Sequence, residues 1–201
     1  MKPVTEEKND YHEIACQQLL AEDRSVFSIQ WVVIPGAAPL QLTSGGLLEL
    51  YIEHIERCTY AIVHPVLNEN GLEFRLGRTS IPLIKFSLPV HTSVDNGNRT
   101  RLCISGGFLV QPGECDRGQL DFLVEQADDG TRITLRLSDY CPLLLGSSRP
   151  SLLRRWLYRL TQAYIHKVVT VRFLAMVYRQ QTGKLPITRV VKVALRKGEE
   201  I

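Results

Sequence analysis

Apolar positions along the chain fall into three regimes. In YHEIACQQLLAE (11–22), Ile14, Ala15 and Leu19 separate from their polar neighbours at helical spacing, which predicts a short N-terminal helix. SVFSIQWVVIPG (25–36) is β-branched and aromatic, and it predicts a strand that stops at Pro35-Gly36. Thr43 or Ser44 is placed to cap the next segment, GLLELYIEHIERCTYAI, whose Leu47, Leu48, Tyr51, Ile52 and Ile55 repeat at helical spacing. A break is expected near His64-Pro65.

From there to residue 140 the period changes to two. Asn70-Gly71, Asn96-Gly97 and Asp129-Gly130 punctuate runs that read as strands. The last pair gives the clearest signal, because an Asp-Gly type I′ turn would join QLDFLVEQ to TRITLRL. Leu120, Phe122 and Val124 then share one face, and Ile133, Leu135 and Leu137 share another, opposite Arg132, Thr134 and Arg136. An antiparallel meander with one solvated face follows, to which Arg101 also belongs.

After Pro142 and Pro150 the period returns to 3.6 over residues 151 to 181, ahead of Gly183 as a C′ residue. Such a helix is about 45 Å long. Leu152, Leu153, Trp156, Leu157, Leu160, Ala163, Tyr164, Val171, Leu174 and Tyr178 form one stripe, with Arg155, Arg159, Gln162 and His166 opposite. Lys167 breaks the sorting by landing inside the stripe, where an ammonium must snorkel, pair with a carboxylate or face a polar part of a cavity. Beyond residue 168, Val169, Phe173, Met176 and Val177 make the helix apolar nearly all round, so it is expected to be buried on several sides, beneath the N-terminal helix. ITRVVKVALRK (187–197) alternates and reads as one more strand.

The order of strand, helix, meander and long C-terminal helix resembles the helix-grip fold of the START-like, polyketide-cyclase (SRPBCC) superfamily. The resemblance covers residues 25 to 181, and DDGTRITLRL (128–137) is its best local support. It implies an α+β fold in which a curved antiparallel sheet wraps the long helix, and an apolar cavity between them where lipids, sterols or aromatic polyketides bind. The N-terminal helix and the C-terminal strand are additions to that pattern. The chain as a whole, 1–201, reads as one domain.

Charge adds an asymmetry. Net charge is +3, but from Arg149 onward there are 12 Lys/Arg against Glu199 and Glu200, while residues 1–148 carry 12 against 19 Asp/Glu. The basic end either attracts the acidic body or offers itself to an anionic partner such as a membrane surface. Nucleic acid is disfavoured, because the basic face comes with no recognisable binding module. The polar start MKPVTEEKND predicts no secretory leader, and no apolar run approaches the length of a membrane span, so a cytoplasmic protein is expected. Cys16, Cys58, Cys103, Cys115 and Cys141 are scattered without ligand spacing and read as buried fillers in a reducing compartment, with neither zinc nor a disulfide framework.

Reaction motifs are missing from the sequence: neither GxSxG nor HExxH occurs, and Ser44-Gly45-Gly46 and Ser105-Gly106-Gly107 lack the lysine of a phosphate loop. His54 and Cys58, at i and i+4, read as structural. No catalytic residue, metal ligand or cofactor is assigned. The expected function is binding of an apolar or amphipathic small molecule between sheet and long helix, with Tyr140, Trp156, Tyr164, Lys167 and His91 as candidate ligand contacts. The alternatives are a membrane-surface or protein-interaction module using the basic end, and a cyclase- or hydrolase-like enzyme in the same cavity with a His or Tyr as general acid or base.

Overall fold

A computed structural model describes residues 11–36, 42–114, 116–145, 164–185 and 187–200. Within them the chain is α+β, with a large and mostly antiparallel sheet and two helices. The strands are β1 (Tyr11–Leu20), β2 (Val26–Pro35), β3 (Val63–Asn68), β4 (Gly71–Leu76), β5 (Pro82–Phe86), β6 (Val90–Val94), β7 (Gly97–Gly106), β8 (Gln119–Ala127), β9 (Gly130–Tyr140), β10 (Ile187–Lys192) and β11 (Glu199–Glu200). The helices are α1 (Ser44–Cys58) and α2 (Tyr164–Thr182). Strand order is β10-β1-β2-β9-β8-β7-β5-β4-β3, with β11 on β1 and β6 on β7. Among the described strands only β1 and β10 pair parallel. This is compatible with a helix-grip arrangement; the first half of the expected long helix, 151–163, lies outside the described residues.

The expected N-terminal helix 11–22 is instead β1, paired with β2 on one side and with β10 and β11 on the other. Its first half alternates, with His12, Ile14 and Cys16 buried, but residues 16 to 20 are buried on both faces. A strand covered on both sides loses its period of two, and CQQLL then mimics a helix. The outer cover is the C-terminal segment. Gln17 Nε2 donates to the Arg196 carbonyl at 2.8 Å, and its Oε1 accepts from Leu195 N and Arg196 N at 2.9 and 3.1 Å. The Arg196 guanidinium then lies 4.1 Å from the Phe27 ring centre, a cation–π contact that holds the segment over the outer face.

Two further expectations change. His64-Pro65 lies inside β3, and the chain breaks earlier, where Tyr60 and Ala61 adopt positive φ of 53° and 59°. Asp129-Gly130 does join β8 to β9, but Gly130 is already the first residue of β9, opposite Ala127, and the loop is Asp128-Asp129 with neither at positive φ. Glycine is required there for another reason. At φ 147° a Cβ on residue 130 would come within 2.1 Å of the Ile34 carbonyl oxygen on β2, so the chain passes too close for any side chain.

Both helices cover one face of the sheet. α1 begins at Thr43, whose Oγ1 accepts from Gly46 N at 3.1 Å, and it lies against β3, β7 and β8 with Leu47, Leu48, Tyr51 and Ile55 inward. α2 lies against β2 and β1, and ends where Gly183 takes φ 67° and donates to the Arg179 carbonyl. Tyr51 joins the layers, edge-on to Phe122 of β8 at 5.3 Å and to Phe173 of α2 at 5.1 Å. The all-round apolar stretch of α2 is thus buried on two sides, by α1 and by the sheet.

His12 stacks on Tyr178 at 4.3 Å and 10° between planes. Burial lowers the pKa of His12 and of His54, the latter against a hydrogen bond with the Val169 backbone, and takes His166 down to about 4. These rings stay neutral in the folded chain at pH values where the unfolded chain protonates them, so the unfolded state binds more protons as pH falls below about 6.5. Denaturation midpoints are therefore expected to fall from pH 7 to pH 5. His12→Phe, which keeps the stack on Tyr178, is expected to flatten part of that slope.

Candidate functional site

The inner face of β1 and β2 carries a polar row in an otherwise apolar wall. Register places Cys16 opposite Gln30 and Gln18 opposite Ser28, with Leu135 and Leu137 of β9 beyond them. All four polar side chains are buried, Ser28 and Gln30 completely. Gln30 Nε2 donates to Ser28 Oγ at 2.8 Å and points to Cys16 Sγ at 3.8 Å; Gln18 Nε2 donates to Ser28 Oγ at 3.2 Å. Gln30 Oε1 is left with no partner, as are His12 Nδ1 and Thr131 Oγ1 along the same face. An unmade hydrogen bond of this kind costs about 1–3 kcal/mol.

Lys167 approaches this row at Cys16. His12 stacks on Tyr178 while the Lys167 charge acts on Cys16, four residues further along β1, so α2 runs antiparallel to β1, and Thr170 and Leu174, fully buried, mark its sheet-facing side. Eleven residues of helix, about 16 Å, separate Tyr178 from Lys167, and four residues of strand, about 13 Å, separate His12 from Cys16. The two spans are comparable, which brings the half-buried Lys167 near Cys16, the cross-strand neighbour of Gln30. Burial raises the Cys16 thiol above its ordinary value, opposed by the hydrogen bond from Gln30 and by the positive charges of Lys167 and Lys192. The thiol is accordingly neutral and no nucleophile at ordinary pH.

The other predicted contacts do not gather here. Tyr140 is in the core at the end of β9, with its hydroxyl donating to the Leu109 carbonyl at 2.9 Å and burial raising its pKa. It braces the loop before β8. Tyr164 is the first described residue of α2, and Trp156 lies outside the described residues. His91 is exposed on β6, at the start of α1. There its Nδ1 is 2.8 Å from Thr100 Oγ1, which is itself 2.8 Å from Ser44 Oγ, while Asn98 Oδ1 accepts from Ser44 N at 2.5 Å. The ring lies so close to Gly45 that a Cβ there would sit 3.3 Å from His91 Cε1. Ser44, Gly45, His91 and Asn98, with Glu49 and Arg99, line an open cleft of about 580 Å³.

His54 and Cys58 do not form a pair: His54 packs on Phe173, and Cys58 lies 3.9 Å from Arg172 Nη1. Among the described residues no three His, Cys, Asp or Glu side chains are arranged to hold a metal, and no helix is long and apolar enough to cross a membrane. On the outer face, Asp121 is fully buried between Arg101 and Arg136, at 2.7 Å from each. Burial would raise its carboxyl, but the two arginines outweigh that and hold it below the usual range. Arg101 and Arg136 are therefore structural partners, more than a solvated fringe.

Sequence reasoning missed Cys16, Gln18, Ser28 and Gln30. The available signal was Ser28 and Gln30 at i and i+2 within SVFSIQWVVI, polar on the face that Val32 and Ile34 show to be inward.

No family model matches the chain, and no curated protein matches it. Among solved structures the chain is similar to CalU16 from Micromonospora echinospora. The crystal structure of that protein is 13% identical, with 85% of each chain covered and a TM-score of 0.35. Its solution structure is also 13% identical, with 90% of this chain and 79% of that chain covered and a TM-score of 0.39. The architecture is accordingly read from the strand order and helix placement of this chain alone.

Thr100→Val removes the hydroxyl that links His91 to Ser44. It is expected to lower unfolding free energy by about 1–3 kcal/mol, because Ser44 Oγ is left buried without its partner, with chemical denaturation as the readout.

Proposed function

We propose that the chain binds an apolar or amphipathic small molecule between the inner face of β1, β2 and β9 and helix α2, in the manner of a helix-grip protein. The observation that carries this reading is the orphaned Gln30 Oε1, fully buried in a polar row whose Cys16 feels the Lys167 charge. Buried polar groups in native proteins are satisfied, and an exception on the face that a ligand would occupy is accounted for if the ligand supplies the missing partner. Leu135, Leu137, Val32 and Leu174 offer the apolar wall, where burial at roughly 25 cal/mol per Å² supplies affinity. Lys167 orients one end, and Tyr164 and Trp156 are kept as candidate contacts. His91, in its separate cleft, is not part of this site.

Titration with an environment-sensitive apolar dye, paired with native mass spectrometry of gently purified protein, tests the reading. Saturable binding of one molecule per chain is expected, displaced by long-chain amphiphiles and weakened by Lys167→Glu. Dye signal that fails to saturate, with no small molecule retained in the mass spectrum, contradicts it. If instead binding follows liposome charge and not the dye, the membrane-surface alternative takes its place.

A further inference from the structure

The polar row also restricts what the bound molecule presents, an inference that rests on the binding site proposed above. Two groups of opposite demand bear on it, Gln30 Oε1 within the row and Lys167, whose charge acts on Cys16 beside Gln30. Gln30 Oε1 is a carbonyl oxygen with no donor, and its amide nitrogen is already committed to Ser28 Oγ and Cys16 Sγ. Lys167, from the facing helix, carries only donors. A carboxylate could pair with Lys167, but it brings nothing to donate, and it would set its own oxygens against that of Gln30. An ether or ketone accepts from Lys167 and likewise leaves Gln30 orphaned. A hydroxyl does both.

We infer that the site selects a small molecule with an apolar body and a hydroxyl head, phenolic or alcoholic, whose O–H donates to Gln30 Oε1 and whose oxygen accepts from the Lys167 ammonium. Sites built to hydrogen-bond a substrate hydroxyl discriminate sharply against analogues lacking it, because the protein's own buried group is then left unpaired. The neutral Cys16 thiol and Ser28 fill the remaining polar perimeter without adding a charge that would favour an acid over an alcohol.

Calorimetric titration of the full chain with 4-hexylphenol, 4-hexylanisole and 4-hexylbenzoate tests this on one apolar skeleton. The phenol is expected to bind at least about tenfold more tightly than either analogue. Gln30→Met, close in volume and free of the acceptor, should bring the phenol-to-anisole ratio to near unity. Lys167→Met should weaken phenol and anisole together and leave their ratio in place, since both accept from the ammonium. The parent chain's own ratio stands as a test should the Gln30 variant fold poorly. Anisole or benzoate binding as tightly as phenol, or a ratio that survives Gln30→Met, overturns the hydroxyl assignment while leaving an internal binding site intact. Absence of saturable binding by all three removes the binding-site reading itself and the hydroxyl assignment with it.

Discussion

The inner half of the molecule depends on the direction in which α2 crosses the sheet. That direction is fixed where His12 stacks on Tyr178 and where Phe173 meets Tyr51, two aromatic contacts that bind the helix to β1 and to α1. With both in place α2 runs back along β1, Thr170 and Leu174 face the strands, and Lys167 comes down over the polar row of Cys16, Gln18, Ser28 and Gln30. A rotation of one residue, 100°, would carry Lys167 off that row and replace it with His166 or Val168. The candidate site is therefore a consequence of helix packing, and its polar end owes its position to contacts three turns away.

The opposite face has a different logic. Asp121 between Arg101 and Arg136 ties β7, β8 and β9 together through charge where the inner face uses Leu102, Leu120, Phe122 and Leu135. A buried carboxylate is costly unless paired on both sides, so these three strands are locked in register from outside as well as inside. At the far edge, β10 and the segment after it close the open side of β1, and Gln17 holds that segment by three backbone hydrogen bonds. The free edge of the sheet passes to β10, a strand of six mostly exposed residues, which is a shorter template for intermolecular pairing than β1.

Much of this was legible in the sequence where a rule acts locally. The Thr43 cap, the face of α1, the hairpins around residues 70, 96 and 129, the stop at Gly183 and the anomalous position of Lys167 all follow from spacing and side-chain chemistry over a few residues. β1 was not legible, because CQQLL is covered by partners from the other end of the chain: Gln17 bonds to Arg196, 179 residues away, and burial on both faces erases the alternation that identifies a strand. The same limit hid the site's polar row. Ser28 and Gln30 read as interruptions in an apolar strand until β1 sets Gln18 and Cys16 beside them. Tyr140 and His91 looked like pocket groups for their chemistry, and tertiary structure gives each another task, one bracing Leu109 and the other anchored to Thr100 beside α1.

The central claim is that a small molecule enters between α2 and β1–β2 and reaches Gln30. Side-chain amide resonances of glutamine, followed by NMR during titration with 4-hexylphenol, address it most directly. A saturable shift of the Gln30 amide is expected, accompanied by Gln18 and by backbone signals of β1, β2 and α2, with β3, β4 and the His91 cleft unmoved. Shifts confined to the α1 N-terminus or the outer face, with the Gln30 amide unchanged at saturation, would contradict it.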